Sequence, residues 1–206
     1  MFAAETFLIY AALWAGFGLG HSALAAPAVK ARLHRLFGAG YRLAYNIFAA
    51  VHFGAVYHLG GRLYAPARAF DIPEALGWGM VAAQVIGVLV LVAALREYDL
   101  GLFAGTKQLR RARAGRDAEP VEPLATAGLH AHMRHPLYTG LLLIVWGRVG
   151  TDFDLATATL ASAYLAVGIW SEERKLLAVY GAGYAAYRAA VPALVPWRRP
   201  RKPGTS

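Results

Sequence analysis

Arg134, His135 and Tyr138 are the side chains best placed for chemistry, in the run Arg134-His135-Pro136-Leu137-Tyr138-Thr139-Gly140 that opens an apolar stretch. Thirty-odd residues on, Glu172 and Glu173 close the next apolar run. Proline is favoured in the first turn of a helix. Pro136 therefore predicts a helix start whose N–H groups and positive dipole end add to Arg134 and His135 as a site for a carboxylate or phosphate. Glu172 and Glu173 would instead attract an ammonium or bind ribose hydroxyls. S-adenosylmethionine carries a carboxylate, an ammonium and an aromatic base, and would use all of these groups. The alternative is that Arg134 and the two glutamates form interfacial ion pairs with one another. After Glu173, the residues Leu177, Tyr180, Tyr184, Tyr187 and Val191 recur at steps of three and four. That spacing predicts a helix with one aromatic face. The face would serve either as a belt at headgroup depth or as a lid over a planar ligand, and Pro192 and Pro196 would stop the helix.

The elements that must hold these groups are membrane helices. Hydrophobic residues make up 58% of the 206-residue chain and charged residues 16%. A soluble domain carries nearer about 25% charge, so an ordinary soluble domain is excluded. Residues 6–26 and 75–95 contain no Asp, Glu, Lys or Arg, and each reaches the roughly 20 residues that cross a bilayer core. Residues 43–61 form a shorter candidate, 136–147 a short fourth and 155–171 a fifth. Short apolar runs such as the fourth can also be re-entrant or buried. The expected fold is all-α: a polytopic membrane protein with about five transmembrane helices and a C-terminal interfacial helix on the cytoplasmic side. The first run lacks the basic flank of a secretory signal and counts as a helix. One membrane domain is expected, with residues 1–95 on the acceptor side and 96–206 forming the cofactor-binding core.

Charge sets the expected orientation. With alternating segments, 18 of the 21 Lys and Arg residues fall on one side. The other side holds Arg62, Arg68 and Arg148. By the positive-inside rule, the N-terminus is external, the basic loops and tail are cytoplasmic, and a bacterial inner membrane is the expected location. The net charge of +9 then needs no nucleic acid. Lys107-Gln108-Leu109-Arg110-Arg111-Ala112-Arg113 reads as a surface helix against anionic lipid headgroups, and the tail Arg198-Arg199-Pro200-Arg201-Lys202 reads the same way. The chain has no cysteine, which removes disulfides, thiolate metal sites and a cysteine nucleophile.

The segment from Leu124 through Gly128, His130 and Arg134-His135-Pro136 to Tyr138 and Gly140 resembles the Gly-x5-Arg-His-Pro-x-Tyr-x-Gly signature of the isoprenylcysteine carboxyl methyltransferase superfamily. The run from Glu172-Glu173 through Leu176, Tyr180-Gly181, Tyr184, Tyr187 and Val191-Pro192 to Pro196 resembles that superfamily's C-terminal motif. The resemblance covers roughly residues 96–197 and implies an integral membrane enzyme that binds S-adenosylmethionine on its cytoplasmic side. It implies that His130, Arg134, His135, Pro136, Tyr138, Gly140, Glu172, Glu173 and Tyr187 form the cofactor site. Within that set, His135 and Tyr138 would contact the amino-acid end and Arg134 would support it. Gly140 would allow close approach, the glutamates would close the site, and Tyr187 would be a wall. Two departures weaken a prenylcysteine carboxylate as substrate: His130 stands where many relatives have tyrosine, and Ser171 precedes Glu172 where some carboxyl methyltransferases have arginine nearby.

The N-terminal half resembles bacterial methanethiol S-methyltransferases in Gly20-His21-Ser22, Leu24-Ala25 and Tyr41-Arg42-Leu43-x-Tyr45-Asn46. It is also similar to denitrification-associated membrane proteins and to haem-binding carotene isomerases. The stretch Tyr98-Asp99-x3-Phe103-x-Gly105-Thr106-x-Gln108 likewise looks like the methanethiol enzymes. His21, His52 and His58 lie in or near apolar segments, where an ionisable residue is costly unless it is paired or functional. His52 and His58 fall on different faces of an ideal helix and do not make an adjacent ligand pair. His21, Tyr45 and Asn46 are the candidate acceptor-binding residues, and no metal ligand set is expected. The expected activity is methyl transfer from S-adenosylmethionine to a small or lipophilic acceptor, a thiol first. The competing expectation is a haem-binding membrane protein of the denitrification-associated or carotene-isomerase type.

Overall fold

The computed structural model describes residues 2–115 and 124–196, so the basic tail at 198–202 lies outside the described residues. The α-helices run in the order α1 Phe2–Ala25, α2 Pro27–Phe37, α3 Tyr41–Leu63, α4 Glu74–Glu97, α5 Leu100–Ala104, α6 Thr106–Arg113, α7 Pro136–Gly147, α8 Asp152–Tyr180 and α9 Ala182–Ala190, with 3₁₀ turns at Gly38–Gly40 and Gly128–Ala131. Among the described residues there is no strand, only an isolated bridge between Ala69 and Thr151, and the fold is all-α as expected.

Three helices are long and apolar enough to cross a membrane, over Ala4–Ala25, Glu74–Glu97 and Asp152–Tyr180. At 23 residues α3 has the length as well, about 34 Å at 1.5 Å per residue. By contrast α7 has 12 residues, about 18 Å, well short of a hydrocarbon core of about 30 Å. Leu8, Leu19, Leu76, Trp78, Leu89 and Val167 are each more than half exposed. An apolar exterior of this extent belongs in lipid rather than in water.

The chain forms two compact units, each drawing on three stretches. The first comprises Met1–Phe70, Tyr98–Val121 and Thr151–Leu160. Its centre is Tyr10, fully buried, with its ring against Trp14, Tyr64 and Phe153 and its hydroxyl 3.1 Å from Thr157 Oγ1. Burying a tyrosine inside an apolar bundle requires such a partner for its hydroxyl. A Cβ at Gly60 would come within 2.3 Å of the Tyr10 ring, so only glycine lets α1 and α3 approach there. The basic surface helix appears as α6, and the turn between α5 and α6 is Gly105, at φ +90.

The second unit comprises Asp71–Glu97, Glu122–Gly150 and Ala161–Ser206. Here α4 and α7 pack backbone against backbone. A Cβ on Gly87 would lie 2.8 Å from the Gly140 carbonyl oxygen, and one on Gly140 would lie 2.9 Å from that of Gly87. Small residues at such crossings are how helices associate in lipid, where no hydrophobic force drives them together. Gln84 reinforces the pair, its side-chain amide donating to the Gly147 carbonyl at 2.8 Å.

Two expectations about the C-terminal region need correcting. Glu172 and Glu173 do not end a helix: α8 continues through them for 29 residues in all. Glu, Arg, Lys and Leu are good helix formers, and no breaker intervenes until Gly181, whose positive φ of +54 ends the run. At about 43 Å, α8 exceeds a bilayer core, so charges in its last turns need not lie in hydrocarbon. The aromatic stripe is also not one helix face. Leu177 and Tyr180 lie on α8, Tyr184 and Tyr187 on α9, and Val191 is already extended, as a residue before proline prefers to be.

Candidate active site

All the carried-over cofactor residues lie in the second unit. Pro136 occupies the first turn of α7 with His135 at the N-cap, as predicted. Arg134 and His135 pair through their backbone N–H groups with the carbonyls of Pro192 and Ala193, at 2.9 and 3.0 Å. Thr139 Oγ1 donates to the Leu194 carbonyl at 2.9 Å. The segment after α9 is thus fastened along the approach to α7.

Glu173 is the hub of the site. Its Oε1 accepts from Arg134 Nε at 2.8 Å and lies 3.1 Å from His135 Nε2, while Arg188 Nη1 stands 3.7 Å from its Oε2. Arg134 also donates to the carbonyls of Arg188 and Val191. Both side chains of the Arg134–Glu173 pair are nearly buried, 11% and 12% exposed. The anion that Arg134 attracts is therefore supplied by the chain itself. The ion-pair alternative is what the structure shows for Arg134 and Glu173, and the open anion site expected at Arg134 is already filled.

Glu172 differs from its neighbour. Its side chain is 43% exposed and stands 3.6 Å from His135 Nδ1, so it keeps acceptor capacity. Tyr138 stacks on the His135 imidazole, with centroids 5.5 Å apart and planes at 19°. Buried Tyr184 belongs to the same cluster. Burial pushes its hydroxyl above the usual tyrosine value and the Glu173 charge adds to that, and the hydroxyl makes no well-formed hydrogen bond among the described residues. At Gly140 the close approach that the structure shows is that of two helices, α7 against α4. The exposed Glu172 carboxylate beside the stacked His135 and Tyr138 rings makes a set that fits a ligand with ammonium and hydroxyl groups.

His130 stands apart from this hub, on the 3₁₀ turn Gly128–Ala131. It is buried, and its Nδ1 lies 2.8 Å from Glu97 Oε2. Glu97 Oε1 accepts the Leu129 N–H at 2.7 Å. Tyr187 donates to the His130 carbonyl at 2.6 Å. The sequence reading missed Glu97. Its signal was a carboxylate at the last position of an apolar helix, where the dipole disfavours negative charge unless a partner compensates.

In the first unit, His21 and Tyr45 come together, Tyr45 Oη 2.6 Å from His21 Nε2. Phe17 packs on both His21 and His52. Asn46 is not part of that pair: its amide donates to the Phe103 carbonyl at 2.9 Å and so ties α3 to α5. A cavity of about 500 Å³ in this unit is lined by Thr6, Tyr64, Asp152 and Thr159 among others, and by none of the motif residues. No three His, Asp or Glu side chains among the described residues are placed to hold a metal ion.

These features define an all-α membrane protein with a buried Arg–Glu–His hub at the start of a short apolar helix. The chain is similar to Methanethiol S-methyltransferase 1 of Bradyrhizobium diazoefficiens, with 34% identity over 113 residues, 54% of this chain and 39% of that protein. It is similar along more of its length to the Methanethiol S-methyltransferase of Crocosphaera subtropica, at 28% identity over 88% of this chain and 71% of the relative. Methanethiol S-methyltransferase 2 of B. diazoefficiens matches at 28% identity over 93% and 74%. The family resemblance carried by the motifs is thereby borne out, and the haem-binding alternative finds no support in these relatives. No family model and no solved structure matches the chain.

Proposed function

We propose that the protein is a membrane methyltransferase that moves a methyl group from S-adenosylmethionine to a small thiol. The observation that carries this reading is the hub around Glu173 and His135, built from the same residues as the methyltransferase motifs, in a chain whose relatives are named for methyl transfer to methanethiol. The donor, when bound, supplies an activated methyl on a sulfonium sulfur. Glu172 would hold its ammonium or ribose hydroxyls, His135 and Tyr138 its amino-acid end, and Tyr187 a wall. Arg134 acts by holding Glu173 and the 188–194 segment in place, while Pro136 and Gly140 set the start and packing of α7. Because the transfer is a direct displacement, the chain's task is alignment and exclusion of water.

His135→Ala and Tyr138→Phe test the reading. Losing one charge-assisted hydrogen bond costs about 1.5–3 kcal/mol, so S-adenosylmethionine binding in titration calorimetry should weaken about tenfold to hundredfold. Unchanged binding in both variants would move the cofactor elsewhere. His21 and Tyr45 are proposed on the acceptor side. The orientation proposed from the charge asymmetry puts Gly115 in the cytoplasm of a bacterial inner membrane. A Gly115→Cys protein should resist an impermeant maleimide in intact cells, and labelling there would reverse the topology.

A further inference from the structure

We propose that α2 and α6 together form one binding surface for anionic phospholipid headgroups, built from two helices far apart in the sequence. Neither helix contributes a buried residue to the first unit. What holds them together is the chain around the 3₁₀ turn at Gly38–Gly40, which follows α2 directly. A Cβ on Gly40 would lie 3.6 Å from Leu109 of α6, and one on Gly105, where α6 starts, would come within 2.6 Å of the Leu43 backbone nitrogen. Both helices therefore flank the start of α3, at one end of that unit. The sequence pattern pointed to 107–113 alone as a headgroup helix; the fold brings α2 to the same end.

The charge gathered there is not balanced by the chain. Lys30, Arg32, Arg35, Arg110 and Arg113 are exposed, and none has an acidic partner among the described residues. Lys107, by contrast, already pairs with Asp99. Cations clustered in this way repel one another until an anion arrives. The shape of α2 says which anion. Val29, Leu33, Leu36 and Phe37 share one face of the helix, with Leu36 75% and Phe37 49% exposed. Lys30 and Arg32 flank that face, and Arg35 lies on the opposite side. A helix of this pattern lies in the plane of the interface, its apolar face in the acyl boundary and its long cationic side chains reaching the phosphates. A soluble acidic partner would leave Leu36 and Phe37 in water, whereas a phospholipid satisfies both faces at once.

The surface is independent of the methyl-transfer reading, and its failure would leave that reading standing. To test it, the full chain would be released from nanodiscs holding equal amounts of phosphatidylglycerol and phosphatidylcholine, and the retained lipids counted by native mass spectrometry. The wild type should retain phosphatidylglycerol over phosphatidylcholine by about tenfold. The triple variant Lys30→Gln, Arg32→Gln, Arg35→Gln and the double variant Arg110→Gln, Arg113→Gln should each lower that ratio about threefold, and all five substitutions should bring it to about parity. Because neither helix buries a residue, these changes should leave the fold intact. Arg62 and Arg68 are exposed cations at or beyond the far end of α3, about 34 Å away and well outside a screening length of about 8–10 Å. Arg62→Gln with Arg68→Gln should change the ratio by less than about twofold.

Equal retention of both lipids by the wild type, a preference that survives all five substitutions, or a loss as large in the Arg62 and Arg68 variant would overturn the proposal. A loss carried by one of the two helices alone would overturn the joint surface. A dimer in the same spectra that the α2 substitutions abolish would give the face to a second copy of the chain and overturn it as well.

Discussion

The polar groups around Arg134 and those around His21 are handled in opposite ways. At Arg134, opposite charges meet nearly out of water, with Glu173 accepting from Arg134 and the backbone carbonyls of Arg188 and Val191 accepting from the same guanidinium. At His21, a hydroxyl–imidazole hydrogen bond with Tyr45 sits among the rings of Phe17, Tyr41 and His52. The charged network joins stretches of chain that have little helix packing of their own, the 134–135 turn and the segment after α9. The aromatic cluster joins two long helices that already pack along their length. Charge is used where a loop must be pinned, and ring packing where helices already meet.

That contrast can be broken by removing one partner in each region. Glu173→Ala leaves the nearly buried Arg134 without its counter-ion, and breaking a buried pair in this way costs about 3–5 kcal/mol. Denaturant unfolding in detergent should show a loss of that size, and a loss below about 1 kcal/mol would mean the pair is solvated. Tyr45→Phe removes only a partly buried hydrogen bond and should cost about 0.5–1.5 kcal/mol. It should lower methyl transfer while leaving S-adenosylmethionine affinity within about threefold. A matching loss of cofactor affinity would show that Tyr45 supports the fold rather than the acceptor.

Glycine substitutions sharpen the same comparison. In the second unit Gly87→Ala forces a Cβ to within 2.8 Å of the Gly140 carbonyl, and overpacking of this kind costs about 1–3 kcal/mol. In the first unit a Cβ at Gly16 meets nothing within 4 Å. Gly16→Ala should therefore be neutral or stabilise the protein by up to about 1 kcal/mol, since alanine is the better helix residue. If both substitutions proved neutral, the close crossing of α4 and α7 would be disproved.

Much of the fold was legible because its signals are local. Pro136 marked the start of α7 through its fixed φ, and the uncharged runs at 6–26 and 75–95 marked α1 and α4 to within a few residues. The end of α8 was not legible, because charge was taken as the end of an apolar helix although glutamate, arginine and lysine all continue one readily. The break at Gly181 was the better signal. Some pairing was legible too: Arg134 with the Glu172–Glu173 pair was foreseen as an alternative from complementary charge, and His21 was grouped with Tyr45, which it meets. That Glu97 meets His130, 33 residues away, follows from the return of the 3₁₀ turn onto the end of α4, which no local pattern encodes. Asn46 was grouped with His21 and Tyr45 as a polar group near a helix end, yet one position along a helix turns a side chain by about 100°, and its amide meets the Phe103 carbonyl.

The central claim is that this chain transfers a methyl group to a thiol, and the most direct measurement is transfer by the purified protein. The full chain in lipid nanodiscs would be given S-adenosylmethionine labelled in its methyl group together with ethanethiol, and the volatile product collected. The account predicts labelled ethyl methyl sulfide, formed by the wild type and reduced at least tenfold in His135→Ala. Protein that binds S-adenosylmethionine in calorimetry but yields no labelled thioether would contradict it.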